Sequence, residues 1–332
     1  MRRAGAIGLS MVAFACLLAP PAPGRAADRL TFALDWVPYG KHAWAYVAIE
    51  RGFYRDAGLQ VTVLAGKGAL DAITKMVAGS AEFANADTPN VLIARARGQR
   101  VREVATIFAR SLYVFYALKD SGIRRPKDLE GRRIGVSEGD QPKAVFPAFA
   151  AATGIDLKKI TFTIMEPAAK NPSLLAGKVD AIGTFTPVYP PLKSGADKIG
   201  KELVEILWSD YGVDVPSGGI VATDRMIRER PDLVRRFVEA TLRGVAWAMD
   251  NPEQTAEIFV KHHPASDRGV TLETWRKSLA HIVAGEKGLG YLDPGRVRYT
   301  RDVITKAYNL TVVVPVEEIY SSEFLPKGPL RR

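Results

Sequence analysis

Residues 30–107 run LTFALDWVPYGKHAWAYVAIERGFYRDAGLQVTVLAGKGALDAITKMVAGSAEFANADTPNVLIARARGQRVREVATI, and the order of patterns within them decides the fold. The stretches 30–34, 60–64, 81–84 and 101–107 are short, apolar and bounded by turn residues, the signature of buried strands. Between them, 43–51, 69–78 and 88–97 have the amphipathic pattern of helices, the last two closed by Gly79 and Gly98. A β-α-β-α-β-α-β order predicts a mostly parallel sheet with helices on both faces, because parallel neighbours need a crossover that a helix supplies.

Working outward, a second block spans about 112–215. Residues 133–136 and 159–165 read as strands with a helix at 143–153 between them. Residues 174–182 read as a helix end, a stop at Gly177 and a further buried strand, and 202–207 as one more strand. From Thr223 onward the pattern is helical. Residues 231–250 place Leu233, Val234, Phe237, Ala240, Thr241, Val245 and Ala248 at helical spacing, and Pro252 suits the first turn of the next helix. An α/β start, an α/β middle and a helical end describe one lobe interrupted by another. The expected division is 28–114 and 219–332 for the first lobe and 115–218 for the second. Crossings are expected near 112–118 and 216–222, with Gly218-Gly219 as a flexible point.

The N-terminus predicts export. Arg2 and Arg3 precede an apolar run from Ala4 to Pro20, and small residues ending at Ala27 offer a cleavage site, so 1–27 reads as a signal peptide. The apolar run is shorter than the roughly 18–20 residues of a membrane span. Cleavage leaves a periplasmic chain of about 305 residues, enough for two lobes, with no membrane insertion. The one cysteine, Cys16, lies in the leader, so disulfides and thiolate chemistry are excluded from the mature chain. The formal charge of +10 falls to +7 with the leader's three arginines removed. Its Lys and Arg residues are interleaved with acids over amphipathic segments, which describes solvated helix faces rather than a nucleic-acid stripe.

Several runs together resemble one family. They are Leu34-Asp35-Trp36-Val37-Pro38 with His42, then Gly52-Phe53-Tyr54 and Gly58-Leu59. Residues 127–136 (KDLEGRRIGV) and 175–181 (LAGKVDA) follow in order. The resemblance is to the solute-binding proteins similar to thiamine-pyrimidine synthases, a group that includes alkanesulfonate- and taurine-binding relatives. It implies a two-lobed periplasmic-binding-protein fold of type II, with a double crossover hinge that closes on a ligand. It also implies a monomeric substrate-binding component that delivers a small molecule to the permease and ATPase of an ABC importer. The implied ligand is a small ring compound such as a thiamine-precursor-like pyrimidine, with an aromatic carboxylate or sulfonate as the alternative. The synthases of the group carry a cofactor-bearing lysine and a histidine four residues on, matching Ala86 and Asn90 here, and a cysteine-rich loop that the mature chain lacks. The expectation is therefore a binding protein without enzyme activity and without cofactor.

Ligands of open α/β sheets sit beyond the carboxyl ends of the strands, which nominates five segments. In the first loop, Asp35, Trp36, Tyr39 and His42 are candidates. Trp36 and Tyr39 offer flat faces and polar handles, with Trp36 as core and His42 as a helix-start hydrogen bond the structural alternatives. Asp87, Thr88 and Asn90 surround a helix start at Pro89, where free N–H groups can bind an acceptor and a plain cap explains the residues equally. Ser137, Glu138 and Gly139 repeat the strand-turn-helix arrangement. Glu166 follows a strand, and Thr184, Phe185 and Tyr189 follow another. The carboxylates suit a ring amino group, whereas lysines such as Lys41 and Lys170 suit an acid, so the sign of the ligand stays open. Gly66-Lys67-Gly68 is too short for a phosphate loop, and His262-His263 lacks metal-ligand spacing.

Overall fold

The computed structural model describes residues 26–328 and Leu330, so all but the end of the expected leader lies outside the described residues. Among the described residues, ten strands form two five-stranded sheets. The first contains β1 (Asp28–Ala33), β2 (Leu59–Leu64), β3 (Phe83–Ala86) and β4 (Val101–Phe108). The second contains β5 (Tyr113–Leu118), β6 (Arg133–Val136), β7 (Thr161–Ile164), β8 (Ala181–Phe185) and β9 (Leu203–Leu207). β10 (Gly218–Thr223) returns to the first sheet, giving the orders β2-β1-β3-β10-β4 and β7-β6-β8-β5-β9. β1 runs parallel to β2 and β3, and β6 parallel to β7 and β8.

Two strands break the parallel pattern, and they are the segments expected as crossings. β10 lies antiparallel between β3 and β4, and β5 antiparallel between β8 and β9. The chain passes between lobes in the short links between Phe108 and Tyr113 and between Tyr211 and Gly218. The expected boundaries at 114/115 and 218/219 thus fall inside strands. Gly218-Gly219 is not a flexible loop either. Both residues are buried in β10, and a Cβ on Gly219 would lie 2.1 Å from Glu103 Oε1 and 2.5 Å from the Ala105 carbonyl. Glycine is needed there for close packing, not for hinge freedom.

Each lobe has its own aromatic centre. The helix Pro231–Asp250 buries Leu233, Val234, Phe237, Ala240, Thr241, Val245 and Ala248 against the first sheet. Phe237 stacks on Phe83 at 4.0 Å and meets Phe32 edge-on at 5.3 Å. In the second lobe Trp208 stacks on Phe149 at 4.6 Å and on Phe115 at 5.4 Å. Rings of this size cost about 3–5 kcal/mol each to truncate in a core, so both lobes are rigid walls for whatever lies between. Among the described residues no helix is long and apolar enough to cross a membrane.

Candidate functional site

A cavity of about 390 Å³ opens between the lobes, within the range of about 300–1,000 Å³ usual for small-molecule sites. The first lobe contributes Trp36, Val37, Tyr39 and Gly40 from the loop after β1, and Phe259, Asp267, Val270, Thr271 and Thr274 from the C-terminal helices. The second contributes Asp140, Pro167, Ala168, Lys170 and Asn171, then Thr184, Phe185, Pro187, Val188 and Pro191 after and around the end of β8. Most of this lining is apolar.

The loop after β1 is held from below. Asp35 is fully buried, with Lys41 Nζ 2.6 Å from one carboxylate oxygen and His42 Nε2 2.7 Å from the other. Burial pushes the Asp35 carboxyl up, but Lys41 and His42 outweigh that and hold it well below the ordinary carboxylate range. Burial and the Lys41 charge both lower the His42 imidazole. The ring is therefore neutral at pH 7. Its Nδ1 faces the Tyr39 N–H at 3.4 Å, which leaves Nε2 as the donor to Asp35. The cluster carries no net charge. Asp35 and His42 hold the loop from beneath and are not among the residues that line the cavity. Sequence alone could not place Lys41 against Asp35.

Trp36 and Tyr39 do reach the cavity. The Trp36 ring has the Lys170 ammonium 5.8 Å from its centroid. Tyr39 packs edge-on to His42 at 5.0 Å, and its hydroxyl is buried without a protein partner. Burial, reinforced by Asp35 and Asp140, pushes that phenol far up, so it stays protonated and can donate. Opposite, Phe185 lines the cavity with the Lys41 ammonium 4.8 Å from its ring, and Thr184 lies beside it.

Both lysines near the cleft are engaged. Lys170 Nζ sits 2.8 Å from Asp140 Oδ2 and donates to the Gly183 carbonyl at 3.2 Å. Asp140 in turn accepts the Ser137 N–H at 2.5 Å. Asp140 and Lys170 were expected only as charges near the cleft that could suit a ligand of either sign, and the helices around Phe259 and Thr274 were not expected in the site. Asp140 had a signal, a carboxylate before a Gln-Pro helix start, whereas Lys170 had none beyond its charge.

The remaining candidates lie elsewhere. Asp87 caps its helix through the Asn90 N–H at 2.7 Å, is bonded by the Asn90 side chain at 2.8 Å, and accepts the Tyr113 hydroxyl at 2.9 Å. Thr88 donates to Glu103 at 2.7 Å. All three are buried outside the cavity, with Asp87 as the helix cap. Ser137 is buried with its hydroxyl unpartnered, Glu138 is exposed beside Lys143, and Gly139 packs against Lys67 and Gly68. Glu166 is exposed, one residue short of the lining Pro167. Tyr189 packs 5.9 Å from Tyr116 and under Lys277. Among the described residues, no group of three or more His, Cys, Asp or Glu is placed to hold a metal.

Comparison with known proteins adds a family. A model described as NMT1/THI5 like matches residues 40–255. The chain is 25% identical over 325 residues to the riboflavin-binding protein RibY of Chloroflexus aurantiacus, covering 93% of this chain and 90% of that one. It is 24% identical over 262 residues to a formylaminopyrimidine-binding protein of Halalkalibacterium halodurans, covering 78% of each. A pyrimidine phosphate synthase of Legionella pneumophila also matches, at 24% identity over 91% of this chain and 94% of its own. In structure the chain is similar to the alkanesulfonate-binding protein SsuA of Xanthomonas axonopodis bound to MOPS, with a TM-score of 0.68 at 17% identity, covering 90% and 99% of the two chains.

Proposed function

The chain belongs to the NMT1/THI5-like family, and from that premise we propose that it is the periplasmic binding component of an ABC importer for an uncharged, nitrogen-containing ring compound. The observation that carries the ligand class is the state of the two lysines. Lys170 is spent on Asp140 and Lys41 on Asp35, so neither of these buried lysines waits for an acid, and releasing one would strand a buried carboxylate at a cost of about 3–5 kcal/mol. What remains is a mostly apolar cavity walled by Trp36, Tyr39 and Phe185, with the unpartnered Tyr39 hydroxyl as the available donor. Aromatic walls with few polar groups suit a flat heterocycle. The names of the riboflavin- and formylaminopyrimidine-binding relatives support a nitrogen heterocycle, and a thiamine-precursor-like pyrimidine is the member of that class we favour.

A ring carboxylate or sulfonate is the second reading, favoured by the position of the Lys170 ammonium on the cavity wall beside Trp36. It requires Asp140 to give up its partner. A synthase activity is disfavoured. Ala86 and Asn90 stand where the resemblance places the lysine and histidine of the enzymes, and Asn90 is committed to Asp87. Titration calorimetry of the purified mature chain against uncharged pyrimidines and flavin-like rings, and against ring carboxylates and sulfonates, tests the proposal. Micromolar or tighter binding confined to the first set supports it, and binding confined to the acids overturns it.

A further inference from the structure

The turn 137–141, which puts Asp140 on the cavity wall, also meets the first lobe. Gln141, 1% exposed, donates its side-chain N–H across the cleft to Asp35 Oδ2 at 2.9 Å. Its other amide atom, Oε1, is buried without a partner, so the residue is placed for this one bond. Beside it, the backbones of the two lobes touch through glycines. Gly68 (φ +134°) and Gly139 (φ +76°) face each other so closely that a Cβ on Gly139 would lie 2.0 Å from the Lys67 carbonyl oxygen. A Cβ on Gly68 would lie 2.3 Å from the Gly139 carbonyl oxygen.

We propose that this contact is the closure seam of the protein and that Gln141 is its latch, a positioning residue that biases the lobes toward the shut state. The inference rests on the reading that ligand is held between closing lobes. The physical reason is the balance at Asp35. Its charge is already matched by Lys41 within the first lobe, and that pair keeps its attraction whether the lobes are open or shut. Closing strips water from both ions, and the penalty is offset only when the remaining hydrogen-bonding positions are filled. Gln141 fills one of them from the second lobe. The seam also senses the ligand slot, because the Lys41 ammonium on Asp35 lies 4.8 Å from the ring of Phe185, itself a wall of the cavity.

The test uses the mature chain without ligand. It has no cysteine after Cys16, so spin labels can be placed at two exposed sites, Lys158→Cys in one lobe and Arg228→Cys in the other. The distance between them is then read by double electron–electron resonance. Gln141→Met keeps the volume and removes the bond, and is expected to raise the open-to-closed ratio about tenfold, the worth of one hydrogen bond to a charged group. Gly139→Ala wedges the seam and is expected to shift the distribution the same way. Thermal unfolding of each variant establishes that it is folded, and either variant alone suffices for the comparison. Distance distributions that coincide with the parent in folded protein overturn the latch. Because no ligand is present, this outcome is separate from whether any ring compound binds.

Discussion

Replacing Lys170 by methionine, alone and together with Asp140→Asn, separates the two ligand classes. The pair is nearly shut off from water, with side chains 9% and 3% exposed at 2.8 Å. The single change leaves the Asp140 carboxylate buried opposite a thioether, which costs about 3–5 kcal/mol. That is a large share of a typical total of about 5–15 kcal/mol, and it lowers the unfolding midpoint by roughly 10 °C. In the double variant the amide oxygen of residue 140 still accepts the Ser137 N–H that Asp140 now takes at 2.5 Å. Methionine follows the course of the lysine stem, so most of the loss returns, to within about 1–2 kcal/mol of the parent. An uncharged ring never used the ammonium as a counter-charge, so its Kd in the double variant changes by less than about fivefold, including the lost contact to the Trp36 face. An acid held by Lys170 loses about thirtyfold or more. Calorimetry gives the affinities and scanning fluorimetry the midpoints. A double variant no more stable than the single one refutes the pairing argument, and a thirtyfold loss of affinity refutes the ligand class.

Trp36→Ala removes a stacking wall and is expected to weaken ring binding about 10- to 100-fold, as loss of one aromatic platform does. Its unfolding midpoint should fall less than that of Trp44→Ala, whose ring is fully buried in the first lobe; equal binding would remove Trp36 from the site. Glu103 is pushed up to about 7 by burial, against the opposing Thr106 and Thr88 hydrogen bonds and with help from Asp87. Folded protein therefore holds this proton through a pH range in which the unfolded chain has lost it, and stability falls as pH rises from about 4.5 to 7, by about 3 kcal/mol in all. Glu103→Gln should flatten that slope and gain on the parent at pH 8 relative to pH 5 in urea titrations; parallel profiles would contradict it. Gly244→Ala puts a methyl group 2.7 Å from Ala48 Cβ where two helices cross, and is expected to cost about 1–3 kcal/mol by overpacking, as denaturant midpoints would show.

The parts of the fold written in local pattern were legible. The helices Ala69–Val77 and Pro231–Asp250 bury one face each and form where their spacing predicts, and the first and third crossover helices form between the strands that bound them although nearly every position is buried. The antiparallel direction of β5 and β10 was not legible, since every residue of β5 is buried and such a run looks the same in either direction. The cleft divided in the same way. Trp36 and Phe185 combine an aromatic ring with a place at a strand end, a signal that survives without partners. Asp35 and His42 share that place but point inward, because Lys41 and a glutamine 106 residues away claim Asp35, and Asp35 in turn claims His42. Polar residues near a strand end are ambiguous until their partners are known, and those partners are set by packing rather than by spacing.

The most direct measurement is a crystal structure of residues 28–332 with the uncharged heterocycle they bind most tightly. The account predicts the ring between Trp36 and Phe185, the Tyr39 hydroxyl within about 3.2 Å of a ligand acceptor, and Lys170 still paired with Asp140. A ligand acid group on Lys170 Nζ with Asp140 turned away, or a ring bound outside the interlobe cavity, would contradict it.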